Sequence, residues 1–126
     1  MDKMDINELL AGMEAELGRE PVPMKILAEL DERIVFEHAK NKNVAFSGEH
    51  IPPKYKLLMS LAISAAMGVE PCIETYITSA LNKGITKQEI LETIMVARFV
   101  KASTVISTTA DSLKLILEHE AKKKSE

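Results

Sequence analysis

Apolar residues recur at helical spacing along most of the chain. In residues 5–17 they fall three and four positions apart, which places them on one face of an amphipathic helix. This face consists of Ile6, Leu9, Leu10, Met13 and Leu17. A second helix is predicted in residues 24–42, and its inward positions are Ile26, Leu27, Leu30, Ile34 and Val35. Gly18 and the proline-containing residues 19–23 separate the two helices.

Prolines and glycines mark the next predicted helices. Pro53 suits the first turn of a helix over residues 53–67, and Gly68 suits its left-handed cap. Pro71 opens a helix that runs to Lys83, and Gly84 ends it.

The sequence TKQE at residues 86–89 has the form of a capping box, which marks a helix start. It predicts a helix to about residue 101, followed by a last helix over residues 103–122. The sequence STVISTT at the start of this last helix is β-prone by composition, but both of its flanks are helical. The whole pattern predicts an all-α protein of about six helices.

Length and composition indicate a single domain over residues 1–126. The chain is 46% hydrophobic and 28% charged but only 4% aromatic, so its core must be largely aliphatic. A net charge of −3 gives no general basis for binding nucleic acid. The longest nearly uncharged run, residues 57–69, is shorter than the ~20 residues that span a bilayer. We therefore expect neither a nucleic acid nor a membrane partner.

The number of cysteines bears on the cellular compartment of the protein. The one cysteine, Cys72, cannot form an internal disulfide, and the N-terminal sequence lacks the pattern of a signal peptide. We expect a cytoplasmic protein.

Two predicted helices carry a surplus of apolar surface. Residues 53–67 and 89–101 are apolar around most of the helix circumference, and a single small bundle would not cover them. We therefore expect a homo-oligomer.

Residues 51–100, IPPKYKLLMSLAISAAMGVEPCIETYITSALNKGITKQEILETIMVARFV, resemble the core of the carboxymuconolactone decarboxylase and alkylhydroperoxidase D-like family. The resemblance lies in a serine- and alanine-rich apolar helix, a glycine, a cysteine motif that opens a helix, and ALNKGITKQEI, which stands where the family has its Ala-Leu, Gly-x-Thr and Glu-Glu-Ile turn. It implies an all-α fold, assembly into trimers or hexamers, and an active site near a subunit interface. It also implies antioxidant, peroxiredoxin-like activity or decarboxylase activity.

The thiol branch of that family has a Cys-x-x-Cys pair, a histidine four residues after the second cysteine, and a glutamate twelve residues before the first. On the sequence VEPC, Cys72 matches the second cysteine. Val69 replaces the first cysteine, Tyr76 the histidine and Leu57 the glutamate. Valine cannot resolve an oxidised thiol and leucine cannot titrate, so we expect no two-thiol peroxidase cycle within one chain.

Two interpretations of Cys72 stay open. Backbone N–H groups at a helix start favour a thiolate, although Glu70 and Glu74 oppose it through like charge. The residue is either a reactive thiol that an external thiol reductant regenerates or a small side chain packed at the helix start. Tyr76 lies one turn further on the same helix face, where the two residues can share a pocket.

Arg98 falls on the apolar stripe of its predicted helix. It either pairs with a carboxylate such as Glu70, Glu74 or Asp111, reaches the surface, or clamps the carboxylate of a ligand. The candidate substrate-binding residues are Arg98, Leu57 and Val69. The three histidines are widely spaced, so we expect no metal site and no cofactor; they are His38, His50 and His119.

Three functions remain open at this point. The first is a peroxidase-like enzyme that works through Cys72 with a borrowed thiol. The second is a decarboxylase-like enzyme on a small cyclic acid, whose carboxylate is held by Arg98 together with Lys54 or Lys56. The third is a non-catalytic oligomeric protein that binds a small acid or serves as a scaffold.

Overall fold

The computed structural model describes residues 4–125, which form five α-helices. In chain order they are α1 (Ile6–Leu17), α2 (Val22–Phe46), α3 (Pro53–Met67), α4 (Glu70–Asn82) and α5 (Lys87–Ser125). No strand occurs within that range. The predicted all-α class is therefore confirmed, with five helices instead of about six. The chain divides into two compact units between Leu57 and Leu58, and the single domain stays a prediction.

The first unit begins with α1, which is capped at both ends. Asp5 is the N-cap, and its side chain accepts the N–H of Asn7 at 3.4 Å. Glu8 completes a capping box because its carboxylate accepts the N–H of Asp5 at 3.3 Å. Gly18 ends the helix with a left-handed φ of 71°. All five residues of the predicted apolar face are half-buried and the rest of α1 is exposed, which confirms the face.

Helix α2 is interrupted at Asp31, a feature that the apolar pattern did not predict. Asp31 has φ −162° and ψ 102°, and its carboxylate accepts the N–H of Arg33 at 3.1 Å, as an N-cap residue does. Val35 is fully buried as predicted. The inward positions predicted for Ile26, Leu30 and Ile34 are wrong, since all three side chains are exposed. That prediction assumed one continuous helical face across Asp31, and the break there changes the direction in which side chains point.

A lysine ties the connector between α2 and α3 to the helix that follows it. The Nζ of Lys56 donates to the carbonyl of Phe46 at 3.2 Å and to that of Gly48 at 2.7 Å. Helix α3 spans the predicted residues, and Gly68 follows it with a φ of 72°. The predicted bounds of this helix and its left-handed glycine are confirmed.

In the second unit a short turn joins α4 to α5. Gly84 has a left-handed φ of 78°, and Ile85 is buried with its N–H bonded to the carbonyl of Ala80 at 3.0 Å. The N–H of Glu89 donates to Oγ1 of Thr86 at 3.1 Å, and the carboxylate of Glu89 accepts the N–H of Thr86 at 3.1 Å. The predicted capping box is confirmed.

Helix α5 is continuous over Lys87–Ser125, and the predicted break near residue 102 is wrong. The hydroxyls of the β-prone segment bond to carbonyls of the preceding turn within the helix. Ser103 Oγ donates to the carbonyl of Phe99 at 3.0 Å, and Thr108 Oγ1 donates to that of Thr104 at 2.7 Å. Because these hydroxyls find acceptors inside the helix, they do not pull the backbone into another conformation.

Apolar side chains cover much of the outer surface of α3 and α5. Their exposed fractions lie between 47% and 72% for Met59, Ile63, Met67, Leu91, Met95 and Phe99. Across residues 4–125, no helix combines the length and the apolar character that crossing a bilayer requires.

Candidate functional site

The start of α4 positions the one thiol of the chain. Val69 is the N-cap, with φ −94° and ψ 90°, and it provides no side-chain cap because valine has no hydrogen-bonding group. Its carbonyl accepts the N–H groups of Cys72 and Ile73, both at 3.1 Å. Cys72 is therefore the third residue of the helix, and its side chain leaves the first turn directly after Pro71.

The thiol of Cys72 is free and its side chain is exposed. Within this chain it does not fill a packed helix start, so the packing interpretation finds no support here. Glu70 and Glu74 share the first turns of the helix with it, and both are exposed. Within this chain the thiol is in contact with solvent.

Tyr76 lies one turn after Cys72 on the same helix face and is half-buried. A phenol at this position can donate a hydrogen bond toward a group held at Cys72. Helix α4 therefore brings Val69, Cys72 and Tyr76 together along one edge. Of these three side chains, only the thiol is a nucleophile.

Leu57 and Val69 differ in their surroundings. Leu57 is only 8% exposed and lies on the buried stripe of α3 with Leu61 and Ser64, which follow at four and seven residues. Val69 is 38% exposed. Position 57 is thus a core position of the helix, where a carboxylate would lose most of its hydration.

Arg98 is exposed, contrary to its predicted place on a buried stripe. The apolar stripe predicted for this part of α5 is itself largely uncovered, since Leu91, Met95 and Phe99 are exposed too. Among residues 4–125 Arg98 has no hydrogen-bond or ion-pair partner, and the expected partner Asp111 pairs with Lys114 at 3.1 Å.

Arg98 lies at a cavity of about 260 Å³. The other lining residues are Ala65, Ala66, Ile94, Ala97 and Lys101. The Nζ of Lys101 donates to the carbonyl of Ala66 near the end of α3. Neither Cys72 nor Tyr76 lines this cavity, so the structure does not bring Arg98 together with the thiol there.

Sequence reasoning missed Lys101. The signal for it was the charge pattern of α5: Arg98 and Lys101, three residues apart, are the only charged residues between Glu92 and Asp111. Two positive side chains in a stretch of helix without any acidic residue indicate positive charge that the helix itself does not balance.

The histidines are exposed and distant in sequence from the thiol; they are His38, His50 and His119. In the described part of the chain, no group of three or more histidine, cysteine, aspartate or glutamate side chains is arranged to hold a metal ion.

Comparison with known proteins gives a match to one protein family. The model of the carboxymuconolactone decarboxylase family matches residues 36–114, which is more than half of the chain. The match extends from the second part of α2 through most of α5 and includes the five candidate site residues, Leu57, Val69, Cys72, Tyr76 and Arg98. No curated protein sequence matches the chain.

Proposed function

The chain belongs to the carboxymuconolactone decarboxylase family, and on this premise we propose that it is a peroxiredoxin-like antioxidant protein that works through Cys72 alone. The observation that carries the proposal is the exposure of a free thiol in the first turn of α4. A thiolate is the reactive form of cysteine, and helix N-termini favour it. Val69 supplies no second thiol. Leu57 supplies no carboxylate, and Tyr76 supplies no imidazole.

The reaction then runs in three balanced steps. The thiolate of Cys72 attacks one oxygen of a peroxide ROOH, the O–O bond breaks, and protonation releases the alcohol ROH and leaves a sulfenic acid on Cys72. An external thiol R′SH attacks that sulfur and displaces water, which forms a mixed disulfide. A second R′SH attacks the mixed disulfide, releases R′SSR′ and restores the Cys72 thiol.

The need for an external reductant follows from the valine at position 69. A cysteine there would stand three residues before Cys72, close enough for an intramolecular disulfide. Valine leaves the sulfenic acid open to a dissolved thiol, and a reducing cytoplasm supplies such thiols in excess. We therefore propose that the protein is cytoplasmic.

Assembly into a homo-oligomer is part of the proposal. It is supported by the exposed apolar side chains of α3 and α5, because a surface of that kind on a monomer marks an interaction site or an aggregation hazard. The family implies a trimer or a hexamer.

The test is peroxide consumption in the presence of a monothiol such as glutathione. We expect turnover below about 1 s⁻¹, since a missing acid–base relay lowers rates by ~10²–10⁴, and we expect Cys72→Ser to abolish it. Thr78→Ser, at an exposed position of the same helix, is the matched control and should keep the full rate. Equal rates for the unmodified protein and Cys72→Ser would contradict the proposal.

A second candidate is a non-catalytic oligomeric scaffold that has kept the fold without the chemistry. The observation that favours it is Leu57, which is 8% exposed and packs as a core residue where the thiol branch has a glutamate. The same assay separates the two candidates, because a scaffold consumes no peroxide above the rate of Cys72→Ser.

A further inference from the structure

Helix α5 has two apolar faces, and within residues 4–125 the protein covers only one of them. The covered face contains buried and half-buried residues, which are Ile90, Thr93, Ile94 and Ala97. The other face begins with Met95 and Phe99, which are 54% and 72% exposed. Helical spacing places these two side chains on the side of the helix opposite Ala97. The second face is therefore available to another protein surface.

The second face carries a heptad repeat, and we call it the outer stripe. Its residues follow each other alternately four and three positions apart, which is the pattern of helices that wind around each other in a coiled coil. All of them are exposed. The outer stripe consists of Met95, Phe99, Ala102, Ile106, Thr109, Leu113 and Ile116. The repeat continues into charged residues at both ends, with Glu92 before the stripe and Glu120 and Lys123 after it.

We propose that the outer stripe pairs with the same stripe of a second copy of this chain, as an antiparallel coiled coil with two-fold symmetry. In the proposed register, Phe99 faces Ile116 of the second copy, and the two-fold axis passes between residues 107 and 108. The inference deepens the proposed homo-oligomer and rests on it, because it specifies the partner surface, its direction and its register. It does not depend on the chemistry of Cys72.

The sizes of the facing side chains favour this arrangement. Ala102 faces Leu113 of the second copy, and Thr109 faces Ile106, so each small residue lies opposite a larger one. Alternation of this kind lets two helices pack at a uniform distance. A parallel pair in register would place alanine against alanine in one layer and leucine against leucine in another. One layer would then leave a gap while the other holds the helices apart.

The charges at the two ends favour the same arrangement. Glu92 faces Lys123 of the second copy, and by symmetry this pair occurs twice. A parallel pair would instead bring glutamate to glutamate and lysine to lysine, and like charges repel. Glu120 faces Met95 of the second copy. Arg98 follows Met95 by three residues, so it lies beside that carboxylate.

The same charged ends select the register. A shift by one heptad in one direction places Ile116 opposite Glu92, and a shift in the other direction places Phe99 opposite Lys123. Either shift buries an apolar residue against a charge that has lost its partner. At about 1.5 Å per residue, the contact from Glu92 to Lys123 is about 45 Å long. A heptad repeat of that length meets the usual requirement of three to four heptads for a coiled coil.

The symmetry of the contact restricts the number of chains. A two-fold contact uses the same surface on both copies, so each outer stripe is covered by one partner. A simple trimer has no two-fold axis. The inference therefore requires an even number of chains in the assembly.

Charge reversal in the full chain at low ionic strength tests the pairing and its direction. Glu92→Lys alone and Lys123→Glu alone each turn two exposed ion pairs into repulsions, so each should raise the dissociation constant of the contact by about tenfold. The variant with both changes regains opposite charges and should assemble like the unmodified protein. Glu118→Lys reverses an exposed charge outside the stripe and is the matched control. Sedimentation velocity over a dilution series compares the variants.

Spin labels provide a second measurement, which needs no measurable dissociation. The labels are attached at Thr104→Cys or at Glu118→Cys, each in a Cys72→Ser background; both positions are exposed and lie outside the stripe. In the antiparallel pair, the two labels are separated along the helix axis by about 10 Å at position 104 and by about 32 Å at position 118. Pulsed electron paramagnetic resonance should therefore give the longer distance at position 118. A parallel pair gives equal distances.

Several results would overturn the inference. They are a trimer, a monomer at micromolar concentration, single charge reversals without effect, a double variant that does not regain assembly, and equal label distances at the two positions. A trimer would contradict the two-fold contact and leave the proposed assembly standing. A monomer would contradict both. None of these results depends on peroxide consumption, so the thiol proposal is tested separately.

Discussion

The backbone N–H of Cys72 donates a hydrogen bond of 3.1 Å to the carbonyl of Val69. Val69, the N-cap of α4, is thus hydrogen-bonded to the backbone of Cys72, but its side chain provides no second sulfur. In the thiol branch of the family, a cysteine stands at that position. The proposed thiol chemistry at this helix start therefore needs an external thiol to complete it.

The first prediction concerns Val69→Cys. Because positions 69 and 72 are joined across the first turn of α4, the new thiol should form a disulfide with Cys72 when the protein is oxidised. Titration of free thiols before and after one equivalent of peroxide measures this, and we expect both thiols to disappear. Val69→Ser is the matched control and should form no intramolecular disulfide. Two free thiols in oxidised, folded Val69→Cys would contradict the prediction.

The second prediction concerns Leu57→Glu, which restores the family's carboxylate. Because position 57 is 8% exposed, burying the charge should lower the free energy of unfolding by about 2–5 kcal/mol at neutral pH. Leu57→Met keeps the volume and should cost less than about 1.5 kcal/mol. Urea unfolding monitored by circular dichroism compares the two variants. Equal stability of Leu57→Glu and the unmodified protein would show that position 57 is not a core position.

The third prediction uses the ion pair within α2. Arg33 lowers the pKa of Asp31 below its ordinary value of 3.8, first through its guanidinium and then through its backbone N–H. A lowered pKa in the folded state means that the ionised carboxylate contributes to stability above pH 3.8 and that this contribution is lost as the pH falls through the folded-state pKa.

Urea unfolding of the unmodified protein and of Asp31→Asn over a range of pH tests the third prediction. Asparagine can still cap the part of α2 that follows position 31. The difference in unfolding free energy between the unmodified protein and Asp31→Asn therefore reports the contribution of the charge. We expect a small advantage of the unmodified protein at neutral pH that shrinks below pH 3.8, because both side chains are in contact with solvent. Glu37→Gln, an exposed carboxylate of the same helix, is the control. A difference that is constant with pH would contradict the prediction.

The fourth prediction concerns assembly. Ile106 is 71% exposed on α5, at helical spacing from the exposed Phe99 and Leu113, so this stripe is a candidate contact between copies. Light scattering during gel filtration should show a homo-oligomer for the unmodified protein and a smaller species for Ile106→Glu. Thr108→Glu adds the same charge on the opposite side of α5 and should leave the mass unchanged. A monomeric unmodified protein at micromolar concentration would contradict the prediction.

The sequence predicted the fold best where local chemistry decides the conformation. The capping residues Thr86 and Glu89, the left-handed Gly84, and Pro53 at the start of α3 all have effects that depend on a few neighbouring atoms. The break at Asp31 was missed because helical spacing continues on both sides of it, and an aspartate inside such a pattern also suits an exposed helical position. The continuity of α5 was missed because the hydroxyls of Ser103 and Thr108 bond within the helix.

The candidate site was predictable only in part. Spacing along one helix placed Val69, Cys72 and Tyr76 together, since an α-helix fixes neighbours at three and four residues. The exposure of Cys72 depends on what packs against the start of α4, and Lys101 became a candidate only when α5 was placed beside the end of α3. Contacts between separate elements of this kind are not contained in the spacing of either helix.

Mass spectrometry of the folded protein after treatment with one equivalent of peroxide and then only one equivalent of glutathione, so that no second glutathione resolves the mixed disulfide, tests the proposed role of Cys72 most directly. The proposed cycle passes through a mixed disulfide, so we predict one glutathione per chain, attached to Cys72 and removed by further reductant. Cys72→Ser should gain none. If Cys72 stays unmodified in the folded protein and reacts only after denaturation, the thiol is not accessible and the proposed one-cysteine function is wrong.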